Sequence, residues 1–590
     1  MWKKELYTFD LYDTVLTRQV PDPADVFTLV ERRLMIPGFA KRRIACEKEA
    51  KAICNREVTL SEIYSFLPMD EGRKEKAMRY EREAEEDVTV YRRAGYLAYR
   101  NARKKGKRTA FVSDMYLPEE TLLKILRKKK CYSPLFLSGT FRVSKKDGLL
   151  SLAAKRLQTP PKRIVHTGDS LSRDVLPSIR EGITPCYLPR IRAGKKEALP
   201  NGILQKVIAN GTERASIPRK VGYGAVGPLL FGFALFIKKR AEGADTIAFL
   251  ARDGYLPYLA YTALFGKERA IFLKVSRRTL HLACLTEEIP FFSWVESLGF
   301  GRFVTVGEIL YELGVSPKEV PLADNLLAEG TIFRSDALFS DIRIRNLLRS
   351  LESRVRQAAK RERAELIRYL KEHLSEGNCL LVDVGWGGSL QASLTKLGQE
   401  AGLPVAFSGC YLGLSEKAEE VLKGQSAYAY VFDGRAGQKE HMRPFIGLME
   451  MLLMERAGSV TAHKDGKAVR GHCELSGADA DLLQKTQQAA LAFVRDFAPL
   501  YRKYGIHPDR KHFLFGILRF GLRPTKGEAR LYGALPFENH GKVTPLASIH
   551  ADPRETIHWK TGAMKKGLLF PLPYEKLFWA AFSLFRKERR

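Results

Sequence analysis

Short runs of consecutive apolar residues, each closed by a polar or glycine-bearing turn, punctuate the first 190 residues. They are Leu6–Phe9, Thr109–Val112, Leu135–Leu137 and Ile164–Thr167. Unbroken apolar runs of this length suit strands buried on both faces, as in a parallel sheet covered by helices. Between the first and second runs, about residues 20–92, lies a charged, helix-rich insertion with Glu47-Lys48-Glu49 and Arg79-Tyr80-Glu81-Arg82-Glu83. Charge at that density is expected mostly on solvated helical faces. An insertion directly after the first strand can also cap a pocket at the sheet edge.

The segment 191–218 carries Arg, Gly, Lys, Asn and Pro without periodicity and is expected to link two domains. From 219 to about 570 the alternation resumes. Thr246–Leu250, Leu380–Val384 and 404–413 read as buried strands, and Leu351–Leu374 as a long charged helix. The most apolar stretch, Tyr223–Ile237, contains Pro228 and falls short of the ~20 residues that span a bilayer, so a buried helix is expected. The pattern predicts an α/β chain, with an N-terminal parallel sheet and helical cap insertion over 1–190, then a second α/β domain. At the end, 571–590, Leu577, Phe578, Ala581, Phe582 and Phe585 share a helical face beside Trp579, ahead of Arg586-Lys587-Glu588-Arg589-Arg590. Such a helix can lie on an anionic membrane surface or pack on its own domain.

Composition changes the picture in two respects. The 590 residues include 98 Lys and Arg against 67 Asp and Glu, a net charge of +31 that favours anionic partners. The basic residues are spread out with no recognition module, so nucleic acid is not the expected partner. Eight cysteines lie scattered with no C-x-x-C pair, the usage of a reduced, cytoplasmic protein. The histidines form no metal-ligand spacing, so no zinc is expected.

The chemistry concentrates at strand ends. Asp10-Leu11-Tyr12-Asp13-Thr14, Ser113-Asp114 and Gly168-Asp169-Ser170-Leu171-Ser172-Arg173-Asp174 each follow an apolar run, and Lys145-Lys146-Asp147-Gly148 lies between the last two. Carboxylates at several strand ends predict an acidic pocket at the carboxyl edge of the sheet. A carboxylate can attack phosphorus to form an aspartyl-phosphate, with a magnesium ion on hard oxygen ligands offsetting the repulsion between anions.

In these motifs, and in their order, the first 190 residues resemble the haloacid dehalogenase-like (HAD) superfamily, mostly phosphatases and phosphotransferases. The resemblance implies a Rossmannoid sheet with a helical cap, Asp10 as nucleophile and Ser113 as phosphate-binding hydroxyl. It implies Lys145 as the basic residue, since Lys145-x-x-Gly148 fits the pattern better than Lys146. Magnesium would be held by Asp10, Asp169, Asp174 and the backbone carbonyl of Tyr12. The chain departs from the phosphatase pattern at Tyr12, where those enzymes carry a second Asp for acid/base work. Tyr at this position resembles the dehalogenase branch, which works without magnesium. Asp13 is one residue further on, and strand alternation predicts that it points away and caps the turn. Asp-x-Tyr-Asp-Thr is also similar to long hydrolase-like proteins encoded near bacterial surface-polysaccharide genes.

In the C-terminal half, Arg252-Asp253-Gly254, Ser276-Arg277-Arg278 and Asp383-Val384-Gly385-Trp386-Gly387-Gly388-Ser389 again follow apolar runs. Glycine turns at helix starts and paired guanidiniums suit a phosphorylated or nucleotide-sugar-like ligand. They equally suit ordinary turns and structural ion pairs, and no phosphate-loop or dinucleotide pattern is present. The leading expectation is a cytoplasmic, magnesium-dependent phosphohydrolase or phosphotransferase acting on a phosphorylated small molecule or sugar phosphate in surface-polysaccharide synthesis. The alternatives are a degenerate binding or scaffold protein that recruits glycosyltransferases at the inner membrane face, or a transferase in the C-terminal half.

Overall fold

Leu6–Phe9 (β1), Arg108–Ser113 (β2), Leu135–Leu137 (β3), Ile164–Gly168 (β4) and Thr184–Tyr187 (β5) form one all-parallel sheet in the order β3-β2-β1-β4-β5. The computed structural model describes residues 4–191, 197–301, 303–320, 327–473, 475, 477–539, 542–548 and 557–567. Helices cover the sheet, and the apolar runs become its core: Leu6, Ala110, Val112, Phe136 and Ile164 pack with Leu149 and Leu150 in one buried cluster. Phe9 pairs with Phe111 of β2 and with Thr167 of β4. Asp10, Ser113 and Asp169 therefore emerge at the same carboxyl edge. The strand order runs outward in both directions from β1, so the crevice between β1 and β4 is a topological switch point, where open α/β sheets bind ligands.

Between β1 and β2 the chain forms a short antiparallel ribbon, Leu16–Arg18 against Thr89–Tyr91, that carries four helices. They are Asp25–Leu34, Phe39–Cys54, Leu60–Ser65 and Glu71–Val88. Two charges of this helical insertion are exceptions to its largely solvated surface. Ala77, Glu81, Ala84, Glu85 and Val88 form the buried stripe of the last helix. Glu81 is fully buried in a two-pronged pair with the equally buried Arg43, at 2.9 Å for both bonds, and takes the Tyr64 hydroxyl at 2.8 Å. The 3.6-residue period sets Glu81 and Glu85 on the inner face, where a sequence reading of charge density cannot place them.

The chain divides into two compact units, Met1–Ser216 with Arg495–His512, and Ile217–Val494 with Phe513–Arg590. Part of the segment expected as a linker, 191–218, is helical. Leu199–Thr212 is a helix of the first unit with Ile203, Leu204 and Val207 buried, so apolar burial overrides its irregular composition. The second unit holds another all-parallel sheet built from Thr246–Leu250 (β6), Ala270–Leu273 (β7), Gly377–Trp386 (β8), Val405–Leu414 (β9) and Ala427–Asp433 (β10). Its order is β10-β9-β8-β6-β7, with the switch point between β6 and β8. The fold class is thus the mixed α/β arrangement expected, with two parallel sheets. The long charged helix runs over Ile342–His373. Ile217–Arg240 is the helix long and apolar enough to cross a membrane among the described residues, and 78% of its apolar window is buried within the protein. Residues 571–590, expected as a basic amphipathic helix, lie outside the described residues.

Removing one member of a buried ion pair strands the other charge, at a cost of about 3–5 kcal/mol. Glu81→Ala should lower stability by that amount in urea denaturation. Replacing both Glu81 and Arg43 by apolar residues of similar volume should recover most of it. A loss below about 1 kcal/mol in Glu81→Ala would show that the pair is solvated.

Candidate active site

Asp10 follows β1 directly, its N–H donating to Thr167 O of the neighbouring strand at 2.9 Å. The chain then leaves the sheet in a turn. Ser113 closes β2, and its hydroxyl donates to Asp10 Oδ1 at 3.0 Å. Lys145 lies in a short helical turn before Gly148, fixed by its backbone N–H donating to Asp114 Oδ1 at 2.8 Å. Its ammonium, 2% exposed as a residue, donates to the same Asp10 Oδ1 at 2.8 Å and also to Asp174 Oδ1. Lys146 is exposed. Asp10 Oδ2 accepts no hydrogen bond among the described residues and is the oxygen left for chemistry.

Oxygens of Asp10, Asp169 and Asp174, all buried, lie within 4.8 Å of one another. Burial pushes the Asp10 carboxyl up to about 7, with the Lys145 ammonium opposing and the carboxylates of Asp174 and Asp169 adding. Burial alone would raise Asp174 too, but the His166 hydrogen bond and the Lys145 ammonium hold it below the usual carboxylate range. Asp174 Oδ1 faces Lys145 and His166 Nε2, the latter at 3.2 Å, and Oδ2 takes the Ser170 N–H at 2.9 Å. It holds Lys145 and stands in the same oxygen cluster as Asp10 and Asp169. Asp169 accepts the Thr14 hydroxyl at 3.3 Å and pairs with Arg190.

Tyr12 and Asp13 are both held by neighbours outside the cluster of Asp10, Asp169 and Asp174. The Tyr12 hydroxyl lies 3.2 Å from Glu85 Oε2 and 3.3 Å from Thr89 Oγ1, and its ring lies beneath the Arg18 guanidinium at 3.7 Å. Its side chain anchors the base of the cap. Asp13 has a left-handed backbone, φ 57°, so strand alternation does not apply to it. Its carboxylate accepts the Thr17 hydroxyl at 3.1 Å and lies 3.8 Å from Arg190 Nε. Sequence reading assigned no role to His166 or Arg190, and read Thr14 only as the end of the Asp10 motif.

In the second unit the residues singled out from sequence separate into two groups. Val382 of β8 pairs with Phe249 of β6, which brings Asp383 and the Arg252-Asp253 turn to the switch-point edge. Arg252, Asp253, Arg277 and Asp383 interact there, joined by Glu450 from the helix Ile446–Leu453. Burial pushes the Asp383 carboxyl up to about 8, with the Asp253 and Glu450 carboxylates adding. Burial, and then Asp253, pushes Glu450 up to about 7, against the Trp386 Nε1–H bond of 2.9 Å. Ser276 instead caps the helix Arg277–Ala283, accepting the Thr279 N–H at 3.1 Å, and Arg278 lies over the Tyr311 ring. Gly385 permits close approach to Gly413, where a Cβ would meet its carbonyl oxygen at 2.2 Å. Gly388, with φ 75°, leads into the helix that Ser389 opens, and Gly387 faces open space. Glu450 and Trp386 were not among the residues singled out.

No family model matches the chain, and no curated protein matches it. Among solved structures it is similar to a HAD phosphatase from Thermococcus onnurineus, at 16% identity over 34% of this chain and 91% of that one, with a TM-score of 0.23. It is similar also to a HAD-hydrolase from Bacillus subtilis crystallised with magnesium, at 16% identity over 34% of this chain and 93% of that one, TM-score 0.25. A third is a 2-haloacid dehalogenase from Pseudomonas syringae, at 15% identity over 34% of this chain and 92% of that one, TM-score 0.25. The neighbours are HAD-like hydrolases over about a third of the chain.

Asp383 sets a pH dependence. Its carboxyl, raised to about 8 from an unfolded value of about 4, is fully compatible with folding below the unfolded value. It destabilises the native state progressively as pH rises through about 8. Asp383→Asn should be more stable than wild type by about 1–3 kcal/mol near pH 9, with the difference vanishing near pH 4, in urea denaturation. A variant less stable than wild type near pH 9 would contradict this.

Proposed function

We propose that the first unit is a phosphohydrolase or phosphotransferase that works through an aspartyl-phosphate on Asp10. The observation that carries this reading is that Ser113 and Lys145 both bind Asp10 Oδ1 and leave Oδ2 open. In the reaction, Oδ2 forms a bond to phosphorus while the bond to the leaving oxygen breaks. Ser113 and Lys145 are placed to take the non-bridging phosphoryl oxygens in the transition state. Water or an acceptor hydroxyl then displaces Asp10 and regenerates the carboxylate.

The donor set fits a magnesium ion: carboxylate oxygens of Asp10 and Asp169 approach within 4.8 Å, hard and buried. Asp10, Asp169 and the Tyr12 carbonyl would hold it, with Asp174 supporting through Lys145. Bound there, it supplies charge neutralisation between carboxylate and phosphate. Arg190, its side chain 59% exposed, pairs with Asp169 and would have to release it for a cation to bind there.

The Tyr12 hydroxyl is committed to Glu85 and Thr89, and Asp13 to Thr17, so neither is poised for proton transfer. Breakdown of the phospho-enzyme by water is consequently slow, and transfer to an acceptor competes with it. The resemblance to polysaccharide-associated proteins supports a sugar phosphate or related phosphorylated metabolite as the substrate class, processed on the cytoplasmic side of the membrane. The same Tyr12 observation favours the second reading, a binding or scaffold protein that recruits glycosyltransferases.

With an aryl phosphate and magnesium, wild type should turn over, Asp10→Asn should lose at least ~100-fold, and chelation should abolish the rate. Equal rates for wild type and Asp10→Asn would overturn the enzymatic reading. A beryllofluoride adduct without turnover on any phosphate would favour the binding role.

Tyr12→Phe should stay within a few-fold of wild-type rate while losing about 1 kcal/mol of stability, the worth of one buried hydrogen bond. A rate loss near ~100-fold with the fold intact would show that the phenol takes part in proton transfer.

A further inference from the structure

The switch point of the second sheet holds more acceptor capacity than the protein fills. Asp383 is 8% exposed, and its carboxylate takes one hydrogen bond, from the adjacent Val384 N–H at 2.8 Å. Asp253 Oδ1 is buried and accepts none, with Arg252 Nε 3.8 Å away, beyond hydrogen-bonding reach. Glu450 receives the Trp386 indole N–H. Buried acceptors are almost always satisfied, and groups left open this way are characteristic of functional sites. Yet these carboxylates are not gathered as a three-ligand ion cage: among the described residues only Asp10, Asp169 and Asp174 form a group of three with oxygens within 4.8 Å of one another. Two guanidiniums flank them, Arg252, anchored on Ser459 Oγ at 3.0 Å, and the exposed Arg277. Carboxylates not gathered as a three-ligand cage suit several hydrogen-bond donors, and a guanidinium suits an anion. Trp386, stacked on Phe432 with centroids 5.8 Å apart, adds an apolar wall. One kind of ligand answers all of these demands: a hydroxyl-rich ring joined to a phosphate.

We propose that the crevice between β6 and β8 is a second ligand site for a glycosyl phosphate, with Asp253, Asp383 and Glu450 accepting its hydroxyls and Arg277 and Arg252 meeting its phosphate. The position agrees with the rule that open α/β sheets bind ligands outside the carboxyl ends of strands where the order reverses. The proposal is independent of the chemistry assigned to the first unit.

The test is calorimetry on the full chain in chelator, with glucose 1-phosphate, N-acetylglucosamine 1-phosphate and UDP-glucose as probes, and glucose and inorganic phosphate as controls. At least one probe should bind, and Arg277→Ala should weaken it ~10-fold or more. This variant changes an exposed side chain and leaves the fold intact. Asp383→Asn should weaken binding similarly, while Ser113→Ala binds as wild type and Arg277→Ala keeps the first unit's aryl phosphate turnover. No binding of any probe at millimolar concentration overturns the proposal. Binding lost in Ser113→Ala but kept in Arg277→Ala assigns the phosphate to the first unit and overturns it equally. Inorganic phosphate binding as tightly as the best probe would remove the role of the carboxylates, and with it the proposal.

Discussion

Carboxylates with oxygens within 4.8 Å of one another repel strongly in a buried pocket, and the first unit is built around the cation that makes their proximity tolerable. Lys145 lies between Asp10 and Asp174, and burial that would strip its proton is outweighed by those two carboxylates, which hold its pKa above the usual lysine value. Several local features serve that one ammonium. Asp114 fixes the backbone of its turn, His166 and Ser170 hold Asp174, and Gly168 leaves room for Asp174 to fold back, since a Cβ there would sit 2.2 Å from its Cγ. Ser113 then shares the Asp10 oxygen that Lys145 already holds, which decides which oxygen stays open.

The two sheets reach comparable edges by different connections. In the first, the chain moves outward through β2 and β3, then returns to the other side of β1 for β4 and β5. In the second, β7 lies outside β6 and the remaining strands extend from its other side. Both orders create one reversal, and both reversals carry carboxylates at strand ends. The difference lies in charge compensation. The first site owns a buried lysine, whereas burial and then the Asp253 carboxylate push Asp383 and Glu450 upward, with guanidiniums opposing only in part.

What was legible from sequence follows from the range of the interactions involved. The parallel strands were readable because burial on both faces writes an unbroken apolar run, and Leu6–Phe9 and Leu135–Leu137 are found with the bounds expected. The strand-end acids were readable because a polar residue closing such a run has few structural reasons to be there. The partners were not. Glu450 enters from a helix far along the chain, Arg190 returns across 21 residues to Asp169, and Arg43 finds Glu81 across 38. Each depends on tertiary placement, which local pattern does not encode. The conformation of Asp13 was lost for a different reason. The alternation rule was applied past the point where the strand, and the rule with it, had ended at Phe9.

Tyr12 is tied into the base of the cap, so a change at this position is not a local matter. Arg18 stacks on the Tyr12 ring and pairs with Glu85 through bonds of 2.9–3.1 Å, while Glu85 also meets the Tyr12 hydroxyl. Glu85 belongs to the last cap helix, and Arg18 to the ribbon on which the cap is mounted. An aspartate in place of Tyr12 would bring a second buried carboxylate towards Glu85 and remove the aromatic face that Arg18 covers. Like charges in a dry setting cannot both ionise without raising one pKa and straining the pair that anchors the cap. Tyr12 therefore keeps the base of the cap fixed at a position where a carboxylate would unsettle it.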